Sequence, residues 1–328
     1  MILILSDESD LHADVVCEKL RAGNAEYFRL NLDVESLKTT SISIEKGVAT
    51  VIQGKTLFDS RYIKSIWCRK NTVSLTLEQE VDVSNSFRLW RSEWNRALFG
   101  LYYCLKDAYW MNNIRYATLA DNKFVQIDAA KAAGFNVPDQ ITSNKSELLM
   151  EFAARHGDVA LKFMSQDIYK NQSGDVLGLY VNKIGPSDLA HFGGTYENPV
   201  TLQKYIDKAY ELRVTYVDGQ HFTCRIDSQK SERAKTDWRR YDIANTPHSA
   251  DSLDVEHQKI LKSFMSALNL NFGALDFIVG KDGKLWFLEV NSSGQWLWIE
   301  DLSGLKISDS ISGCLARHAN VDNLGGAL

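Results

Sequence analysis

The chain opens on Ile2-Leu3-Ile4-Leu5, an unbroken apolar run of the kind found in strands buried on both faces. Asp10 to Leu20 then has helical spacing and stops at Gly23, and Tyr27–Asn31 reads as a second strand. Alternation at Ile42, Ile44, Val48, Thr50 and Ile52 predicts a hairpin around Glu45-Lys46-Gly47, and Ile63 to Cys68 predicts a further strand ending at Arg69-Lys70. Together these form a small α/β unit whose strand ends are free for a ligand.

Phe87, Trp90, Trp94, Leu98 and Leu101 recur at three and four, which predicts one long helix over 84–109, broken by Met111-Asn112-Asn113. A second helix is expected over 118–134, ended by Gly134, and a third over Ser146–His156. Val159–Phe163 reads as a strand interrupted by Lys162, followed by a polar loop, 165–174, and a strand at Val176–Asn182. Further on, Val200–Ile206 is a strand, Glu211–Val217 and His221–Ile226 flank the hairpin signal Asp218-Gly219, and 227–245 is a long charged loop. After a helix at Val255–Leu268, Ala274–Val279 and Leu285–Val290 flank Lys281-Asp282-Gly283-Lys284. Ile307, Ile311 and Leu315 mark a last helix.

Composition narrows the class. The 328 residues suit two or three compact units, and 45% apolar with 24% charged residues is ordinary globular usage. No run approaches the roughly 20 apolar residues of a membrane helix. The apolar start lacks a basic flank and a cleavage-like site, so a cytoplasmic protein is expected. With 37 Lys and Arg against 42 Asp and Glu, the net charge of −5 gives no electrostatic reason to expect nucleic acid. Cys17, Cys68, Cys104, Cys224 and Cys314 are scattered without a C-x-x-C pair, against structural zinc or a disulfide framework.

The last hairpin carries the chemistry. A two-residue Asp282-Gly283 turn would set Asp276 directly opposite Glu289, with Asn291 two residues further on the same face. Facing carboxylates repel, and a bridging cation reverses the sign; hard oxygen donors of this kind suit Mg²⁺, which completes its shell with phosphates and water. The bland alternative, a wet sheet face, fits poorly beside Leu285-Trp286-Phe287-Leu288 and Trp296-Leu297-Trp298. No Walker A motif and no G-x-G-x-x-G is present, so a nucleotide would need other phosphate partners. Lys162 is either a snorkelling edge residue or such a partner, and Lys123 either a surface lysine or a second one. Gln203-Lys204-Tyr205-Ile206 could line a base slot and Glu211 could take ribose hydroxyls. Arg213 could hold a carboxylate or acyl phosphate, or sit in an ordinary cross-strand ion pair. In Asp237-Trp238-Arg239-Arg240-Tyr241, arginines beside aromatics form a clamp or a solvated loop. Arg225 faces Leu212 rather than Arg213 unless the register slips by one.

In this order, Lys123, Lys162, the Gln203–Ile206 segment, Glu211-Leu212-Arg213-Val214, Asp276 and Leu288-Glu289-Val290-Asn291 resemble an ATP-grasp ligase. More narrowly, Trp67-Cys68-Arg69-Lys70, Ala120-Asp121-Asn122-Lys123, Ile226-Asp227-Ser228-Gln229, Asp237-Trp238-Arg239 and Glu289-Val290-Asn291-Ser292-Ser293-Gly294-Gln295-Trp296-Leu297-Trp298 resemble the microviridin, or graspetide, type of ribosomal peptide maturase. The resemblance spans roughly 1–318. It implies an α/β (α+β) ATP-grasp architecture: an N-terminal unit at 1–112, a small central unit at 113–198 and a C-terminal antiparallel-sheet unit at 199–328. It also implies ATP and Mg²⁺ as cofactors, with Asp276, Glu289 and Asn291 on the metal and Lys123 and Lys162 on phosphates. Gln203, Lys204, Tyr205, Ile206 and Glu211 would hold the nucleotide. Arg213 with Arg239 or Arg225 would orient the substrate carboxylate. The implied partner is a ribosomal precursor peptide, leader plus core, docked on the central unit at 146–156 and 176–182, and the implied assembly is a homodimer. In that reading a peptide Asp or Glu side chain takes the γ-phosphate of ATP, and a Ser/Thr hydroxyl or Lys amine captures the acyl phosphate. The competing readings are a carboxylate–amine ligase for a small molecule or protein tail, and a nucleotide-binding scaffold without turnover. The 165–174 loop is poorer in glycine than the phosphate loop of many ATP-grasp enzymes.

Overall fold

The computed structural model describes residues 1–80, 84–162, 164, 169–170, 176–177, 181–189, 195–231 and 245–320. The N-terminal unit holds β1 (Ile2–Ser6), α1 (Leu11–Ala22), β2 (Tyr27–Asn31), α2 (Val34–Lys38), β3 (Thr40–Glu45), β4 (Val48–Gln53), β5 (Thr56–Asp59), β6 (Ser65–Cys68), α3 (Leu77–Glu80), α4 (Asn85–Cys104) and β7 (Tyr109–Met111). Its parallel sheet runs β2-β1-β6-β7, and β3-β4-β5 form a separate antiparallel meander. Every residue of β1 is buried, as its unbroken apolar run requires. Leu3 and Leu5 enter a core with Phe28, Val51, Phe58 and Leu98 of α4, while Ile2 and Ile4 face the other way. The helix expected over 84–109 stops at Cys104; Trp110 Nε1 donates to the Leu105 carbonyl at 3.0 Å, and Tyr109–Met111 join the sheet as β7.

The region after β7 contains α5 (Ile114–Ala120), α6 (Lys123–Ala133), β8 (Gln140–Lys145), α7 (Ser146–His156), β9 (Val159–Lys162), a two-residue pair β10 (Tyr169–Lys170) and β11 (Val176–Leu177), β12 (Asn182–Ile184), α8 (Pro186–Leu189) and β13 (Thr195–Lys204). The single helix expected over 118–134 is two. Asn122 accepts from the Phe124 and Val125 amides and starts α6 afresh, and Gly134 at φ 108° ends it as expected. An antiparallel sheet β12-β9-β13-β8 packs on Leu149, Phe152 and Ala153 of α7.

Next come β14 (Lys208–Val217), β15 (Gln220–Ile226), β16 (His248–Asp251), α9 (Val255–Ala267), β17 (Phe272–Gly280), β18 (Leu285–Asn291), α10 (Leu297–Ser303) and α11 (Ile307–Ala319). The strands form an antiparallel sheet in the order β16-β15-β14-β17-β18. Asp218-Gly219 makes the expected two-residue turn, both residues at positive φ. One face of this sheet packs on α9 and on Ala130 and Phe135. The other face is divided: Val217, Cys224, Ile226 and Phe272 join β1, α1, α10 and α11 in a shared core, whereas Glu211, Arg213 and Asp276 sit further along the same strands. Trp296 is fully buried in that shared core.

Candidate active site

Asp276 stands opposite Glu289, and Ala274 opposite Asn291, as the sequence predicts, but by another route. The Gly280 amide donates to Lys284 O and the Gly283 amide to Gly280 O, both at 2.9 Å, so the loop is the three residues Lys281-Asp282-Gly283 with Gly283 at φ 78°. That loop shifts the partners by one, pairing Val279 with Leu285 and Phe277 with Phe287. A β-bulge at Leu288 shifts them back before Glu289. Phe287 and Val290, three residues apart, therefore both enter the core below the sheet, and Glu289 and Asn291 turn to the face of Asp276.

On the other side, β14 sets Arg213 opposite Asp276. Arg213 Nη1 donates to Asp276 Oδ2 at 2.7 Å and Nη2 to the Gln295 carbonyl at 3.1 Å, with the two side chains only 6% and 11% exposed. Arg213 Nε is buried with no hydrogen-bond partner among the described residues. Lys123 pairs with Glu289 Oε2 at 2.8 Å, and Asn291 Nδ2 lies 3.4 Å from Glu289 Oε1. The repulsion that the sequence reading left to a metal is thus shared by two side-chain cations, Arg213 on Asp276 and Lys123 on Glu289. Gly294 is needed here for space: a Cβ on it would stand 2.5 Å from Ala274 Cβ and 3.2 Å from Arg213 Nη2.

The remaining expectations separate. Tyr205, Ile206 and Asp207 connect β13 to β14, so they form the link between the two antiparallel sheets. Gln203 is buried at the end of β13 against Gln140, Lys204 donates its amide to Asp139 O, and Lys183 lies 4.6 Å over the Tyr205 ring. Lys162 ends β9 opposite Thr201, in the central sheet. Glu211 is held by Lys208 at 2.5 Å, both buried, and the cross-strand ion pair weighed for Arg213 is the one it makes with Asp276. A bulge between Lys208 and Tyr210 lets Lys208 and Glu211 share a face. Arg225 keeps the register that faces Leu212; its guanidinium lies 3.7 Å over the Tyr210 ring and pairs with Asp227, away from Asp276. Arg239, with Asp237 and Trp238, lies outside the described residues, as does most of the 165–174 loop.

Comparison with solved structures decides the kind of fold that carries this face. A Chryseobacterium gregarium RiPP-associated ATP-grasp ligase, solved with ADP and a leader and core peptide, superposes with a TM-score of 0.86 at 26% identity, over 96% of each chain. The chain has the ATP-grasp fold and is similar over nearly its whole length to ligases of the ribosomal-peptide maturase type. The macrocyclase MdnC of Microcystis aeruginosa MRC, bound to precursor peptide MdnA, shares the fold of the ligase at TM-score 0.84 and 23% identity, over 97% of this chain and 100% of that one. PsnB, complexed with a phosphomimetic precursor variant, Mg and ADP, shares it at TM-score 0.77 and 19% identity, over 97% and 98%. No protein-family model and no curated protein matches the chain.

Several residues that build the ligase's site carry no motif. Asn112, buried, donates to the Phe272 and Ser292 carbonyls and accepts from the Asn271 and Phe272 amides, joining the end of β7 to both strands of the hairpin. Ser292 Oγ donates to Asp121 at 2.9 Å. Arg69, quoted above only as part of a local match, donates Nη1 to the Ser293 carbonyl at 2.7 Å and Nε to Asp10 Oδ2 at 3.0 Å. Asp10 caps α1 through the His12 and Ala13 amides. Burial raises the Asp10 pKa, but Arg69 and Ser6 outweigh it and hold the carboxyl below its ordinary range. The stability this gives is present above the unfolded carboxylate value of about 4 and is lost as pH falls through the folded value. Arg69→Gln is expected to cost about 3 kcal/mol in denaturant unfolding at pH 7, and less as the pH falls towards 3. An equal cost at both pH values would show that the Ser293 contact alone matters.

A second cluster, Asp218, Cys314 and His318, closes on itself. Asp218 meets His318 at 3.3 Å, Tyr109 at 3.3 Å and Arg317 at 3.5 Å, a hydrogen-bonded ring that ties α11 to the β14–β15 turn.

Proposed function

We propose that the ligase uses ATP to phosphorylate an Asp or Glu side chain of a ribosomal precursor peptide and closes a ring from the acyl phosphate. A Ser or Thr hydroxyl gives an ester, a Lys amine an amide, and ADP and phosphate leave. The observation that carries this reading is the fold shared over 96% of the chain with a ligase that holds ADP, leader and core peptide, combined with the Asp276–Glu289–Asn291 face. The same likeness favours a peptide over a small molecule or protein tail.

The oxygen donors of Asp276, Glu289 and Asn291 share one face, which fits Mg²⁺. The metal would neutralise charge on the transferring phosphate. Lys123 holds Glu289 on that face through their ion pair. Arg213, fixed by Asp276 and the Gln295 carbonyl, puts a positive charge beside the place of an anionic group such as the substrate carboxylate. Tyr205 to Asp207 let the central sheet move over the nucleotide, with Lys162 carried on it. With little covalent work asked of the protein, positioning and charge neutralisation supply the rate. Arg239 is proposed as a further carboxylate contact, and two copies of the chain as the working assembly.

The test is to incubate the ligase with ATP, Mg²⁺ and a Ser/Thr/Lys- and Asp/Glu-rich peptide encoded beside it, and to weigh the product. Loss of one water per ring is expected. ADP release without a change in peptide mass would move the substrate elsewhere.

A further inference from the structure

β18 is the last strand of its sheet, so its outer backbone groups have no strand to meet. At Val290, between the two residues proposed as metal ligands, a side chain takes that role. Gln126 of α6, fully buried, donates Nε2 to the Val290 carbonyl at 2.8 Å and accepts the Val290 amide on Oε1 at 3.0 Å. Its second Nε2 hydrogen goes to the Ala120 carbonyl at 2.7 Å. The amide thus copies the two-bond exchange of an antiparallel partner. Its helix neighbours Val125, Ala129, Ala130 and Ala133 pack in the apolar core, where a glutamine is costly unless satisfied in this way.

We infer that Gln126 is a positioning residue for the metal face, acting through the Val290 backbone on Glu289 and Asn291. The argument rests on the reading of Asp276, Glu289 and Asn291 as metal ligands. The bulge at Leu288 is what turns Glu289 to the face of Asp276. A bulge has one residue too many for its partner strand, and moving it by one position sends the intervening side chain to the other face. Here it is pinned on both sides. Before it, the Phe287 amide donates to Asn136 O at 2.8 Å and Asn136 Nδ2 to Leu285 O at 3.1 Å. After it, Gln126 holds Val290. Lys123, one turn earlier on α6, meets Glu289 directly, so one helix fixes both the charge and the direction of that carboxylate.

The experiment compares Gln126→Met, which keeps the shape without the hydrogen bonds, with Asn136→Ala, which loosens the strand on the far side of the bulge. Mn²⁺ affinity in the presence of ADP is read by EPR, the Mg²⁺ requirement of ADP release by kinetics, and folding by circular dichroism and thermal melting. In Gln126→Met the metal requirement is expected to rise about tenfold or more, with peptide KM little changed. Asn136→Ala keeps the backbone carbonyl that holds Phe287 beside the bulge and loses only the bond to Leu285, so it should lower the melting temperature and leave the metal requirement as it was. Should Gln126→Met fail to fold, Gln126→Asn, which keeps the amide but is one methylene too short to reach Val290, is expected to show the same rise. An unchanged metal requirement in a folded Gln126 variant overturns the inference, and so does an equal rise in Asn136→Ala. Glu289→Gln separates this from the reading beneath it: if that variant binds Mn²⁺ as the parent does, the metal face itself is misassigned.

Discussion

Glu289→Gln is expected to abolish Mg²⁺-dependent ADP release, by about 10²- to 10³-fold or more, while the chain stays folded. Glutamine keeps the volume, and Val290 beside it stays held by Gln126. What goes is the negative charge opposite Asp276 and the partner of Lys123. A neutral amide is a poor Mg²⁺ ligand, and the released Lys123 ammonium adds positive charge where a metal should sit. The lost stability is small, about 1 kcal/mol or less, because both side chains of that pair reach solvent. The check is a coupled ADP assay over a Mg²⁺ titration with circular dichroism alongside. Activity within tenfold of the parent would remove Glu289 from the metal face.

Arg213→Leu acts on stability first. It leaves Asp276, almost wholly buried, facing Glu289 without the guanidinium that pairs with it. Stranding one member of a buried ion pair costs about 3–5 kcal/mol. The loss is expected in urea unfolding at neutral pH without metal, together with loss of peptide modification. Mg²⁺ should then stabilise Arg213→Leu more than the parent, since it replaces a charge that the parent already has. Equal stabilisation would mean that Arg213 and the metal do not answer the same carboxylates. Arg213→Lys keeps the charge but cannot reach both Asp276 and the Gln295 carbonyl with one fork, so it should recover stability better than activity.

The sequence made part of this legible and hid part for identifiable reasons. The opposition of Asp276 and Glu289 could be read from one hairpin, yet the arithmetic succeeded because a three-residue loop and a bulge cancel. Neither shift follows from a period of two. The Lys208–Glu211 pair was hidden in the same way, because their spacing of three suits a bulged strand and not a regular one. Arg213 opposite Asp276 joins β14 to β17 across β15, β16 and α9, a long-range pairing with no local signal. The Arg225 register, by contrast, followed from Asp218-Gly219, whose residues take the positive φ of the turn they announce. Asn122 as a helix cap was present in the sequence and was passed over because apolar spacing runs on through it. Gln126 left a single trace, a polar residue among the inward positions of an apolar helix face.

The shared core has a consequence for synthesis. Ile2, Ile4, Val16 and Leu20 are covered by Ile307, Ile311, Cys314 and Leu315 of α11. At about 5–20 residues per second, α11 follows β1 out of the ribosome by roughly 15–60 s. For that interval the nascent β1–α1–β2 unit can close one side of its sheet with local partners but must leave the other bare. β1 and α1, made long before α11, are therefore among the last parts to be completed, and their exposed face is where a chaperone would be met.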